Sequence, residues 1–122
     1  MRYRVLGDTM PAVEVVFDAP GETMYTQSGG MAWMSEVISM NSKMKGGLSK
    51  SIGRMFFGES LFMATYKAER PGAMIAFAST VAGEVLPVNI GAIDGIGASG
   101  GLICQKGAFL CAEESIPLSV AL

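Results

Sequence analysis

A chain of 122 residues, half of them apolar and only 16% charged, is long enough for one hydrophobic core and carries little charge beside the roughly 25% of ordinary soluble domains. Its net charge of −2 lacks the basic footprint that phosphate contacts demand of a nucleic-acid binder, and no apolar run approaches the roughly 18 residues that cross a bilayer. With no histidine, Ser-His-Asp and Cys-His catalysis are excluded together with the commonest zinc ligand.

The first residues, Met1-Arg2-Tyr3-Arg4-Val5-Leu6-Gly7-Asp8, hold two arginines with no long apolar stretch behind them and are not expected to be a secretory signal. Ala12–Phe17 alternates, with Val13, Val15 and Phe17 on one face, and predicts a strand; Asp18-Ala19-Pro20-Gly21 predicts a turn. Met31–Met40 reads as one strand or two. Gly47–Phe57 places Leu48, Ile52, Met55 and Phe56 at helical spacing, so one short helix is expected near residues 47–57. Leu61–Ala68 predicts a strand with Phe62, Ala64 and Tyr66 on one face; Glu69-Arg70-Pro71-Gly72 turns the chain into a further strand over Ala73–Ser79. Glu84–Ile90, with Pro87 inside it, Leu102–Gln105, Ala108–Ala112 and Ile116–Leu122 complete the expected strands. Short strands spaced by glycine and proline favour an all-β sandwich or barrel over βαβ units. Gly30–Glu36 and Gly107–Glu113 share a pattern of glycine, apolar run and glutamate, which suggests one complete and one partial copy of a unit of about 77 residues within a single β-rich domain over 1–122.

The apparent chemical motifs dissolve on inspection. Gly95-Ile96-Gly97-Ala98-Ser99-Gly100 is a literal GxGxxG, but the residues after it are too few and too β-like for the helix that receives a pyrophosphate, so a glycine-rich loop is expected. Around Lys50 the phosphate-loop pattern fails because Ser49 stands where glycine is needed. Gly58-Glu59-Ser60-Leu61-Phe62 is not a nucleophile elbow: Phe62 replaces the last glycine and no histidine can act as base. Cys104 and Cys111 are too few for a disulfide framework and point to a reducing, cytoplasmic setting. No cofactor and no metal site are expected. Ten methionines and little charge suggest surface covered by other subunits.

Four stretches in this order, "GGMAWM", "FFGESLF", "FASTVAGEVLPV" and "KGAFLCA", make the chain resemble the altered-inheritance-of-mitochondria twenty-four family through nearly its whole length. The resemblance implies a β-rich fold similar to the tryptophan-RNA-binding attenuation protein, a double-stranded β-helix or small sandwich, in homo-oligomers that are trimeric or ring-like. It carries over no catalytic residue. Family members run longer, so the chain is expected to be a half-length form or the N-terminal part of a longer protein.

Together these features predict a non-enzymatic, homo-oligomeric β module that scaffolds or presents a ligand. Phe56, Phe57, Gly58, Glu59 and Phe62 are the expected folding joint or interface. An alternative is a module for nucleic acid or another polyanion that uses Lys43, Lys45, Lys50 and Arg54, a basic segment with no acid between Glu36 and Glu59; the same segment offers weak peripheral contact with a membrane surface. The acidic balance argues against nucleic acid. A second alternative is an enzyme of unrecognised chemistry.

Overall fold

Alternating and β-branched stretches form the strands β1 (Arg2–Leu6), β2 (Ala12–Val16), β3 (Thr23–Gln27), β4 (Met31–Met34), β5 (Ile38–Met44), β6 (Phe62–Ala68), β7 (Met74–Ala78) and β8 (Cys111–Glu113) in the computed structural model. It describes residues 1–27, 29–44, 62–90, 101–105 and 107–118, with backbone alone at 42–44 and 62. Every strand pairing is antiparallel, in two four-stranded sheets of order β1-β2-β7-β4 and β5-β6-β3-β8. The fold of the described residues is all-β.

One buried cluster joins the sheets. Val13, Val15 and Phe17 on and after β2 and Ile75 and Phe77 on β7 face Met24 on β3, Ile38 on β5 and Ala64, Tyr66 and Ala68 on β6. The Tyr66 and Phe77 rings meet edge-on across the layers, their centres 6.0 Å apart. The alternation read from Val13, Val15 and Phe17, and from Ala64 and Tyr66, is therefore the alternation of an inner face. A second, smaller cluster lies on the outer face of the second sheet. There Tyr25 and Met63, both wholly buried, are covered by Phe109, Ala112 and Leu118. β6 is consequently buried on both faces.

The chain changes sheet twice at its Pro-Gly turns. After β2 it crosses at Pro20-Gly21 into β3, and after β6 it crosses back at Pro71-Gly72 into β7. Gly21 and Gly72 take φ of +90° and +80°, open to glycine at little strain. The two turns hold each other by reciprocal bonds. Gly21 N–H donates to Ala68 O and Gly72 N–H to Phe17 O, both at 2.8 Å; Ala68 N–H donates to Glu22 O at 3.0 Å and Phe17 N–H to Ala73 O at 2.8 Å. Exchanging β1, β2, β3 and β4 with β5, β6, β7 and β8 converts one sheet order into the other strand for strand. The topology has an internal two-fold relation centred on these turns.

Several sequence expectations change. Of the two readings of Met31–Met40, one strand or two, the second holds: it divides into strands in different sheets, because Ser35 leaves the ladder, its N–H donating to Met74 O and its Oγ accepting from Met74 N–H. Residues 84–90 and 102–105 form no strand: apolar composition is present but a paired edge is not. The strand expected over 108–112 starts only at Cys111, and 116–118 form no strand. β1 and β3 were not expected from their sequences. The helix expected near 47–57, the glycine-rich loop at 95–100 and residues 119–122 lie outside the described residues.

Candidate functional site

Most residues singled out from the sequence lie outside the described residues: Phe56, Phe57, Gly58 and Glu59 of the expected joint, and Lys45, Lys50 and Arg54 of the basic segment. The backbone does place the remaining two together. Phe62 pairs with Met44 and Lys43 pairs with Met63, so Phe62 and Lys43 share one end of the β5–β6 ladder.

The described surface offers a different candidate, the edges of the sandwich. Four strands end the two sheets, and two of them are blunted. β4 carries an irregularity between Met31 and Trp33, and β8 has three residues. β1, with five residues, and β5, with seven, are regular and, among the described residues, bond a neighbour on one side only. Tyr3 and Val5 pair with Val15 and Val13, so they sit on the inner face of the first sheet. They nevertheless remain 59% and 41% exposed. Met40 pairs with Tyr66 on the inner face of the second sheet and remains 56% exposed. The core thus reaches Ile38 on β5 but leaves Tyr3 and Val5 on β1 and Met40 on β5 exposed on the inner faces.

The two arginines of β1 lie away from this inner side. Arg2 Nε donates to Asp18 Oδ1 at 3.0 Å and Arg4 Nε to Glu14 Oε1 at 2.8 Å, both on the outer face of β1. The Met1 ammonium, 2.9 Å from Asp18 Oδ2, together with Arg2 holds the Asp18 carboxyl below its ordinary value. Glu22 is held low first by the Ala19 N–H, then by the Asp18 N–H and the same ammonium. At the end of β1 an open depression of about 260 Å³ is lined by Val5, Gly7, Asp8, Pro11, Glu84 and Val85. Such an edge can bind backbone and apolar side chains; it assembles no nucleophile with a base. Among the described residues no three Cys, Asp or Glu side chains come together as a metal site, and no helix is long and apolar enough to cross a membrane.

Two stretches that carry the family resemblance meet on β3. Thr26 Oγ1 donates to Leu110 O at 2.5 Å, Tyr25 stacks on Phe109 with ring centres 5.6 Å apart, and Tyr25 OH donates to Ile116 O at 2.5 Å. These contacts, with the β3–β8 ladder, strap residues 109–118 along β3, where Phe109, Ala112 and Leu118 cover the outer face. Gly30, from the other stretch, stands against Thr26: a Cβ there would overlap Thr26 Oγ1. Sequence reasoning missed Tyr3, Val5, Tyr25 and Met40. The cation/apolar alternation of Arg2-Tyr3-Arg4-Val5 is the signal that could have found the β1 edge.

The strap also predicts an alkaline weakness. Burial pushes the Cys111 thiol up to about 12 and raises the phenols of Tyr25 and Tyr66 above their ordinary value. A raised folded pKa favours the neutral form, so this stability is complete below the ordinary thiol pKa and is lost as pH rises towards the folded value. The urea midpoint is expected to fall between neutral pH and about pH 11, and to fall less in Cys111→Ala. An unchanged midpoint across that range would contradict the burial.

A search of curated proteins finds no match to the chain. The family model described as mitochondrial biogenesis AIM24 matches residues 3–122, which takes in the strap, the stretch around Gly30, the Pro-Gly turns and nearly all of β1. With that match over almost the whole length, the chain belongs to the mitochondrial biogenesis AIM24 family.

Proposed function

We propose that the protein is a non-enzymatic, self-assembling β module of the attenuation-protein-like, double-stranded β-helix type, which serves in the cytoplasm as a scaffold or presents a ligand. The observation that carries this reading is the pair of open, regular edges whose inward-facing Tyr3, Val5 and Met40 stay exposed. An apolar edge with free N–H and C=O groups is a template for another chain unless something covers it, and a further copy in a trimer or ring covers it. The lack of histidine supports a role without acid–base chemistry. The free thiols of Cys104 and Cys111 suit a reducing compartment. Light scattering at micromolar concentration tests the proposal: a mass several times the 12.8 kDa of one chain is expected, and a clean monomer overturns it.

A further inference from the structure

β4 and β8 are equivalent under the internal two-fold relation, yet the chain reaches them differently. β4 begins at Met31, just after the bond from Gly30 N–H to Gln27 O that follows β3. β8 comes only after residues 79–110, and the strand before it, β7, belongs to the other sheet. The described residues of that connection form no strand. Its first part is anchored on the sandwich, where Gly83 N–H donates to Thr9 O at 3.1 Å and Val85 packs against the inner cluster. Residues 86–108 reach roughly 75 Å at full extension, about twice the diameter of a domain of this size. Chain length therefore does not tie the strap to its own β3.

The seat of the strap is fully specified. Met24, Tyr25 and Thr26 pair with Glu113, Ala112 and Cys111. The Thr26 and Tyr25 hydroxyls donate to the backbone carbonyls of Leu110 and Ile116, and the Tyr25 ring stacks on Phe109. These contacts are the same whichever chain supplies the strap. The connection, by contrast, leaves apolar side chains in water: Leu86 is 81%, Leu102 48% and Ile103 80% exposed. Where two copies trade straps, their connections cross between the two bodies and run beside each other, so that these side chains gain apolar neighbours.

We propose that the strap, residues 109–118, is exchanged between copies, that of one chain seating on β3 of a second. The inference rests on the self-assembly proposed above and names one contact that holds it. A second copy is the occupant because the structure shows this same segment filling the seat, and the connection is long enough to deliver it. Exchange of an identical element asks for no new complementary surface beyond the crossing connections.

Cys111 stands opposite Thr26 in the ladder, a spacing that a disulfide spans. Thr26→Cys is made in the full chain together with Cys104→Ser and oxidised in air while assembled. Most chains are expected to run as disulfide-linked multimers on a denaturing gel without reductant, and the links should vanish when Cys111→Ala is added. Assembled protein whose chains are linked only internally overturns the exchange while self-assembly stands. A monomeric wild type overturns both. Thr26→Cys also removes the bond to Leu110 O, so a second pair keeps it: Met24→Cys with Glu113→Cys, in chains carrying Cys104→Ser and Cys111→Ala. Multimers are again expected, and their absence from both pairs overturns the exchange.

Discussion

Phe77→Ala is expected to destabilise the domain by about 3–5 kcal/mol, a large share of the roughly 5–15 kcal/mol that holds an ordinary domain together. Phe77 is wholly buried on β7, the inner strand between β2 and β4. It pairs with Val13 on one side and Met31 on the other, and its ring meets Tyr66 of the opposite sheet. Truncation therefore opens a void against both layers at once, and rigid strands on either side limit how far the site can collapse. Trp33→Ala is the internal comparison. Trp33 is the larger side chain but is 45% exposed on the outer face, paired with Ala76, and its loss is expected to lower the urea midpoint much less. Equal losses from the two variants would show that the inter-sheet cluster is not the main store of stability.

The strands that were legible in the sequence are those whose two faces differ. Val13, Val15 and Phe17 point into the core and alternate with residues that do not, so β2 is readable. β3 is not, because both its faces are buried: Met24 joins the inner cluster while Tyr25 lies under the strap, and Thr23-Met24-Tyr25-Thr26-Gln27 shows no contrast to detect. Residues 84–90 and 102–105 fail in the opposite sense. They have the composition of strands, but pairing is a property of an available edge, which composition does not report. Much of the candidate site was hidden for a related reason. Tyr3 and Val5 look like an ordinary strand face; that the core stops short of them is visible only once the opposite sheet is in place. The Pro-Gly turns were readable singly, as places where the chain reverses. Their mutual bonding, Gly21 to Ala68 and Gly72 to Phe17, belongs to the tertiary fold.

The internal two-fold relation bears on assembly as well as on folding. It places β1 and β5 in equivalent positions, each at the edge beside its hairpin partner, so the same architecture generates two apolar edges per chain. They are not chemically equal. The described part of β5 continues with Ser39 and Asn41, whereas β1 alternates Tyr3 and Val5 with two paired arginines. The backbone is thus symmetric where the side chains of the two edges are not.

Gly30→Ala is expected to destabilise by about 1–3 kcal/mol and to loosen the strap selectively. Gly30 does not need a left-handed backbone here, since the positive φ of +90° belongs to its neighbour Gly29. What it supplies is space. An alanine Cβ would overlap Thr26 Oγ1 and come within 3.1 Å of Gln27 O and 3.3 Å of Thr26 Cβ. Thr26 is only 1% exposed, so its side chain can relieve the overlap only by rotating its hydroxyl away from Leu110 O. That leaves a carbonyl of the strap without its bond and removes one of the links between β3 and residues 109–118, beside the β3–β8 ladder and the Tyr25 contacts. Backbone on the other side is no freer: Gly30 N–H donates to Gln27 O and Gly30 O accepts from Ala78 N–H, both at 2.9 Å, so the turn is fixed to β7. Hydrogen exchange distinguishes this local route from general damage. Amides of 111–113 are expected to lose protection more than those of β2 and β7, because the strap opens before the sandwich does. Thr26→Val in the Gly30→Ala background should not restore it, since valine cannot donate to Leu110 O. Uniform loss across all strands would mean that Gly30 supports the whole sandwich, and unchanged protection at 111–113 would mean that Thr26 does not hold the strap.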